Sequence, residues 1–320
     1  MAERLPVVLV TGFLGSGKTT LLSRLLDRPE LGETAVIVNE LGEVAIDHHL
    51  LRQVDERTVL LANGCLCCTL RGDLADELRD LLSRRTRGEL PAFRRVVVET
   101  TGLADPAPVL NTILAEPVVK HHFEPGAVIA TVDALNGEGQ LDREPETLKQ
   151  VLVADRLIVT KTDVAERDAV EGLEGRLRSL NPAADVLEVS FGETDPELLL
   201  APGNPDPRGL HLADGAPHSD VRPFVLFLDQ PVNWTAFGIW LTMLLASRGA
   251  DVLRVKGLLD VGGAGPVVLN GVQHVVHPPL HLETWPDGDH RSRLVFIARG
   301  IELRDVEESL AAFDAAARTP

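Results

Sequence analysis

TGFLGSGKTT, residues 11–20, lies between PVVLV (Pro6–Val10), a short apolar run of the buried-strand kind, and a stretch from Lys18 to Leu26 that reads as a helix. Gly12, Gly17, Lys18 and Thr19 match a phosphate-binding loop, two glycines five apart followed by Lys and Ser/Thr. The glycines let backbone N–H groups curl around an anion with no side chain in the way. Lys18 supplies a point charge for the outer phosphates, and the Thr19 hydroxyl is a ligand for Mg²⁺. The helix that follows turns its N-terminus toward the bound phosphate. The expected nucleotide contacts are Gly12, Gly15, Ser16, Gly17, Lys18, Thr19 and Thr20.

Working outward, the chain alternates apolar runs with helical stretches. TAVIVNE (Thr34–Glu40), TVLLANG (Thr58–Gly64), RRVVVETTG (Arg94–Gly102), GAVIATVDA (Gly126–Ala134), DRLIVTKTD (Asp155–Asp163) and ADVLEVS (Ala184–Ser190) read as strands. Thr69–Leu82, Glu146–Val153 and Ala165–Leu180 read as helices, the first with Leu70, Leu74, Leu78 and Leu81 on one face. Nearly all-apolar strands alternating with helices predict an α/β domain with a mostly parallel sheet covered on both faces. In such sheets ligands sit beyond the carboxyl ends of the strands. TGFLGSGKTT, NELGE, NGCLCC, ETTG and TKTD each end an apolar run, so they are expected to gather at one edge.

Leu200–Asp220 is rich in Pro and Gly and aperiodic, which reads as a linker. Beyond it VRPFVLFL, VLRVKGLLDV, GPVVLNGV, QHVVH and RLVFIA read as strands, several of them alternating. Asn233 is a candidate N-cap for a helix burying Trp234, Phe237, Leu241, Leu244 and Leu245, and Arg304–Ala317 reads as a closing helix. The expected organisation is a phosphate-loop domain over 1–200, a linker over 201–220 and a smaller α+β domain over 221–320.

Composition narrows the function. A net charge of -17 argues against binding nucleic acid or anionic membrane through bulk electrostatics, though a phosphate loop creates its own local positive field. No stretch approaches the length of a membrane span, and the N-terminus lacks the core of an export signal, so a soluble cytoplasmic protein is expected. The three cysteines, Cys65, Cys67 and Cys68, fall within four positions, which is no disulfide framework.

The polar turns carry the chemistry. TKTD, Thr160–Asp163, fits the guanine-reading pattern Asn/Thr-Lys-x-Asp: the Asp163 carboxylate can accept from N1–H and N2–H₂ of guanine while the Lys161 stem packs along the base. In ETTG, Glu99 ends a strand where Mg²⁺ coordination needs a carboxylate, and Gly102 leaves room for a backbone N–H to approach the γ-phosphate. CLCC offers three thiols in one loop, a set that suits Zn²⁺ or Cu(I) and calls for a fourth ligand, with Glu40 and Glu43 as candidates. His48, His49, His121 and His122 read as solvated. His274 and His277, three apart in an apparent strand, point to opposite faces and do not share a metal.

Together GFLGSGKTTLL, VNELGEVAIDHHLL, NGCLCC, ETTGLADPAPV and TKTD resemble the CobW-type phosphate-loop GTPases of the CobW/HypB/UreG group. LRVKGLLDV, GVQHVVHPP, WPDG and SRLVFIARG resemble the small C-terminal domain of that family. The resemblance implies a domain that binds GTP and slowly hydrolyses it to GDP, with a zinc or cobalt site, acting as a metal chaperone or insertase for a client metalloprotein. It implies that Lys18 and Thr19 contact phosphate and Mg²⁺, with Lys18 and Glu99 supporting catalysis. It implies further that Glu99 supports Mg²⁺, that Thr160, Lys161 and Asp163 read guanine, and that Cys65, Cys67 and Cys68 hold metal with Glu43. A homodimer is a further expectation, and no nucleic-acid or membrane partner is expected. The linker here has only His211 and His218 in place of a long His-rich stretch, which favours one tight site over storage. Competing readings are a metal-responsive regulatory GTPase, a thiol-redox switch at Cys67 and Cys68, and an ATP-using kinase that has no use for TKTD.

Overall fold

A computed structural model describes residues 4–26, 28, 33–39, 59–63, 72–192, 194–201 and 220–317. It separates into two compact units, one built on a parallel sheet and the other on an antiparallel one.

In the first unit, β1 (Leu5–Gly12), α1 (Lys18–Leu26), β2 (Thr34–Asn39), β3 (Val59–Asn63), α2 (Gly72–Thr86) and β4 (Arg95–Glu99) come first. α3 (Pro106–Ala115), α4 (Val119–His122), β5 (Phe123–Asp133), α5 (Gly137–Arg143), α6 (Pro145–Val153), β6 (Arg156–Thr160), α7 (Arg167–Leu180), β7 (Asp185–Val189) and α8 (Pro196–Leu200) follow. The seven strands lie in the order β3-β2-β4-β1-β5-β6-β7, every pair parallel. β1 is therefore central, flanked by β4 and β5, so the loop that leaves it emerges at the middle of the sheet's carboxyl edge. Alternation along β1 sends Val8 and Val10 to the face where Leu21, Leu22 and Leu25 of α1 pack. Val7 and Leu9, equally buried, go to the opposite face, and α3 and α6 pack on β1 as well. This is the parallel α/β fold expected from the alternating pattern.

Element boundaries differ in places. α2 runs one turn past Leu82 to Thr86, with Arg84 and Arg85 in its last turn complementing the C-terminal dipole. Leu74, Leu78 and Leu81 are fully buried as the periodicity predicts, whereas Leu70 lies outside the described residues. β4 stops at Glu99, so Thr100–Gly102 lie past the strand, leading into a turn that the Ala104 N–H closes on Thr101 O. The short helices α4, α5 and α8 carry too few apolar repeats to announce themselves. His121 and His122 belong to the last turn of α4 and are exposed.

In the second unit, β8 (Val221–Leu228), α9 (Trp234–Arg248), β9 (Val252–Leu259), β10 (Val267–Val272), β11 (Val275–Val276), β12 (Leu280–His281), β13 (Ser292–Arg299) and α10 (Leu303–Ala317) form one layer of sheet and one of helices. The sheet order is β11-β10-β9-β13-β8, with β12 on β10, all antiparallel. Asn233 caps α9 through the Ala236 N–H at 3.0 Å. The core of this unit contains Phe237, Trp240, Leu241 and Leu245 of α9, with Phe224 stacked on Phe296.

Two expectations need correction here. Trp234 is 39 % exposed, stacked on Phe237 and edge-on to His281 at the rim, while Trp240 takes the buried place at 1 %. α9 is apolar almost all round, so its stripe could not be read from spacing alone; Trp240 lies one turn after Phe237 and donates to Ser309 Oγ on α10. His274 and His277 do not share a strand. Gln273 has φ 51°, and the turn it makes separates β10 from β11, leaving His274 in the turn and His277 past β11. His274 Nδ1 meets Leu245 O at 2.9 Å and His277 Nδ1 meets Asn270 Nδ2 at 3.3 Å, so the two imidazoles have separate neighbours.

Candidate functional site

The loop between β1 and α1 is built from glycines in left-handed conformations. Gly12, Gly15 and Gly17 have φ of 137°, 71° and 93°. At Gly12 no side chain fits, because a Cβ would fall 2.3 Å from Thr131 Oγ1 and 2.5 Å from Thr131 O. The loop lies against β5, and Ser16 Oγ shares a 2.6 Å hydrogen bond with Thr131 Oγ1. Lys18 Nζ donates to Gly12 O at 2.8 Å and Phe13 O at 3.1 Å, so the ammonium is held at the mouth of the loop. An ammonium there and the first peptide N–H groups of α1 make an anion-seeking concavity. Thr20 is exposed on the first turn of α1.

A lattice of small hydroxyl side chains ties the loop to its neighbouring strands. Thr100 Oγ1 donates to Thr11 Oγ1 at 2.9 Å, Thr131 Oγ1 to Thr11 O at 3.3 Å, and Thr160 Oγ1 to Ser16 O at 2.7 Å. Thr11, Thr100, Thr131 and Thr160 are all buried, so these bonds satisfy groups that water cannot reach. Thr11, Thr100 and Thr131 were not singled out in the sequence. Their signal is a Thr at or near the carboxyl end of three separate apolar runs, which gains meaning only once β4, β1 and β5 are known to be adjacent.

Glu99 ends β4 beside Val10 of β1 and Val38 of β2. It is 3 % exposed, and its Oε1 accepts from Thr19 Oγ1 at 2.7 Å. Two hard oxygen donors at this distance, beside a loop fitted for phosphate, match the ligand chemistry of Mg²⁺. The turn that follows is pressed onto the loop, since a Cβ on Gly102 would fall 2.5 Å from Leu14 N.

On the other side, β6 ends at Thr160 and the chain turns through Lys161, which has φ 59°. A non-glycine residue in this conformation costs on the order of 1–2 kcal/mol and is found where neighbours impose it. Lys161 Nζ forms a 2.7 Å ion pair with Asp133 Oδ2 at the end of β5. Asp133 also accepts from Leu135 N and Asn136 Nδ2, each at 2.8 Å. Burial alone would push its carboxyl up, but the Lys161, Asn136 and Leu135 hydrogen bonds outweigh this and hold it below the ordinary carboxylate value. Asp163 is exposed. Asp133 was missed in the sequence, although VDALN ends its strand as TKTD ends the next.

Cys65, Cys67, Cys68, Glu40 and Glu43 lie outside the described residues, and among the described residues no cluster of metal-binding side chains occurs. The strands leading to them are described. Asn39 of β2 and Asn63 of β3 are register partners, so the two strands that lead to NELGE and NGCLCC end at one level, with β2 paired to the end of β4. Among the described residues no helix is long and apolar enough to cross a membrane.

Residues 6–188 match the family described as CobW/HypB/UreG, nucleotide-binding domain, and residues 221–314 match the cobalamin synthesis protein cobW C-terminal domain. The zinc chaperone YjiA of Escherichia coli is 36 % identical over 317 residues, covering 96 % of this chain and 97 % of that one. The zinc chaperone CobW of Pseudomonas aeruginosa is 34 % identical, covering 96 % of this chain and 91 % of its own. The crystal structure of the Zn(II)-bound YjiA GTPase from E. coli superposes with a TM-score of 0.73 at 30 % identity, covering 97 % of this chain and 99 % of that one. By sequence over both of its halves, this chain belongs to the CobW/HypB/UreG family.

Proposed function

We propose that this chain is a GTP-binding and GTP-hydrolysing zinc chaperone that delivers its ion to a client metalloprotein. The observation that carries the reading is the carboxyl edge of the parallel sheet. The phosphate loop, Glu99, TKTD and the strands leading to NELGE and GCLCC all emerge there. Two relatives aligned over nearly the whole chain are named zinc chaperones, and a solved relative is a zinc-bound GTPase, which supports zinc over cobalt as the cargo.

In this reading Gly12, Gly15, Ser16, Gly17, Lys18, Thr19 and Thr20 hold the phosphates. Lys161 and Asp163 read guanine, and Thr160 braces the loop against them. Thr19 and Glu99 would hold Mg²⁺, whose positive charge helps neutralise charge developing on the transferring phosphoryl group. Lys18 stabilises the same charge from the loop side, already desolvated and held by two carbonyls. Cys65, Cys67 and Cys68 bind zinc with Glu43 as fourth ligand. The chain is organised as a GTPase domain over 1–200, a linker over 201–220 and a C-terminal domain over 221–320, and homodimerisation is part of the same proposal.

The working step is coupling. A nucleotide can release the cargo only if zinc affinity differs between the GTP and GDP forms. The deciding experiment titrates zinc into wild type and Cys67→Ala, each with GDP and with a non-hydrolysable GTP analogue. Tight zinc binding that depends on Cys67 and changes with the nucleotide is expected. Equal zinc affinity in the two nucleotide forms would sink the chaperone mechanism. Stable binding to a regulator without zinc transfer would support the sensor alternative, and oxidised Cys67 and Cys68 in protein taken from cells would support the redox switch.

A further inference from the structure

Behind the turn that follows β4, helix α6 places two successive residues. Gln150 is 1 % exposed, and its Nε2 donates to Gly102 O at 3.0 Å and to Ala104 O at 3.1 Å. Two carbonyls can be met only by the nitrogen end of an amide, so the side chain has one orientation. Its Oε1 is buried and has no hydrogen-bond partner among the described residues. Next to it, Lys149 Nζ lies 3.4 Å from Asp105 Oδ2, and Asp105 caps α3 through the Ala107 N–H at 3.0 Å. On the opposite side the turn meets the phosphate loop, where Gly102 has no room for a Cβ against Leu14 N and Leu14 Cα. The turn is therefore clamped between α6 and the loop.

A glutamine at this depth is costly to bury, all the more with its oxygen unpaired. What it supplies that an apolar residue cannot is a grip on two carbonyls of one turn. Resting on the GTPase reading above, we infer that Gln150 is a positioning residue for telling GTP from GDP. It holds the carbonyl side of Gly102 while the Gly102 Cα is pressed on Leu14, and so limits where the neighbouring Gly102 N–H can lie and whether it meets a third phosphate. GDP lacks that phosphate and has no use for the clamp. Gln150 touches no nucleotide itself; it acts through Gly102.

The test compares wild type, Gln150→Met and Gln150→Glu in the full chain. Affinities for GDP and a non-hydrolysable GTP analogue are measured, with single-turnover GTP hydrolysis. Methionine fills the space without donors. It should cost about tenfold in analogue affinity and in single-turnover rate, with GDP affinity within roughly twofold of wild type. Burial against two carbonyls raises the carboxyl pKa of the glutamate variant, so only at a pH high enough to ionise it, where it has no donor, should it do no better. As pH falls its protonated carboxyl regains one O–H donor, so its analogue affinity should recover relative to the methionine variant. A side chain that served packing alone would not produce that pH dependence. A wild-type ratio of analogue to GDP affinity in both variants overturns the inference, as does an equal fall in both affinities. If thermal melts show that these variants unfold, Lys149→Ala at the exposed side of the same turn takes their place. It should lower the ratio about two- to threefold, and an unchanged ratio overturns the inference. A wild-type chain that binds neither nucleotide marks a different failure, that of the GTPase reading itself.

Discussion

Thr19 Oγ1 donates to Glu99 Oε1 at 2.7 Å, joining the first turn of α1 to the end of β4 across the phosphate loop. The residues are 80 positions apart, and only the adjacency of β1 and β4 brings them together. Thr19→Val keeps the shape and removes the hydroxyl. It should lower stability by about 1–3 kcal/mol, because the Glu99 carboxylate loses a partner in a nearly buried position. It should also weaken the Mg²⁺-dependent part of GTP affinity by roughly 10–100-fold. GTP titrations with and without Mg²⁺ separate the two effects. A variant that keeps the full Mg²⁺ dependence removes Thr19 from the metal site.

Thr160 connects base reading to phosphate holding, since its hydroxyl donates to Ser16 O at 2.7 Å. Thr160→Val would leave that buried carbonyl unpaired at a cost of about 1–3 kcal/mol. GDP and GTP should weaken alike, because the brace acts on the loop shared by both. Thr160→Asn restores a donor at this position and should recover most of the affinity. Calorimetric titration of both nucleotides checks this. A selective loss of GTP would show that the brace acts elsewhere.

The loop glycines are not equivalent. Gly12 combines φ 137° with a Cβ position 2.5 Å from Thr131 O, whereas Gly15 has φ 71° with nothing within 4 Å. Gly15→Ala should therefore cost only the left-handed penalty, about 1–2 kcal/mol. Gly12→Ala adds an overpacking cost of about 1–3 kcal/mol, because the obstructing atom is backbone and cannot turn away. Urea unfolding of the two variants measures the difference. Equal destabilisation would mean that the loop can lift from β5 without loss.

What the sequence revealed depends on how local each signal is. The phosphate loop is contiguous, so its residues could be named before its geometry was known. The parallel sheet was equally legible, because strands buried on both faces read as unbroken apolar runs such as VVLV and LIVT. Thr131, Gln150 and Asp133 were hidden for the opposite reason. Each matters only through a partner in a loop that leaves another strand: Thr131 through Ser16, Gln150 through Gly102, and Asp133 through Lys161. No periodicity encodes the order in which strands lie side by side. Trp240 was missed because α9 is apolar on nearly every side, and a stripe cannot be seen without a contrasting face.

Asp133 and Lys161 carry a pH dependence whose sign follows from the carboxyl's lowered pKa. Against burial, which raises it, the bonds from Lys161, Asn136 and Leu135 hold the carboxyl below its ordinary value of 3.8. An acid depressed on folding contributes stability that is fully present above its unfolded value and is lost as pH falls through the folded one. The contribution of this pair should therefore be intact at neutral pH and decline below about pH 4. Asp133→Asn keeps an acceptor for the Leu135 N–H but gives up the charge facing Lys161. Because Lys161 is 39 % exposed, screening limits the loss at pH 7 to on the order of 1–2 kcal/mol. The variant's acid limb should be shallower than that of wild type, so the two stability curves converge toward low pH. Lys161 would also lose the partner that holds its strained turn, and preference for guanine over adenine nucleotides should narrow. Urea unfolding across pH 2–7 and paired GDP and ADP titrations test both halves, with parallel acid limbs the outcome that removes Asp133 from this role.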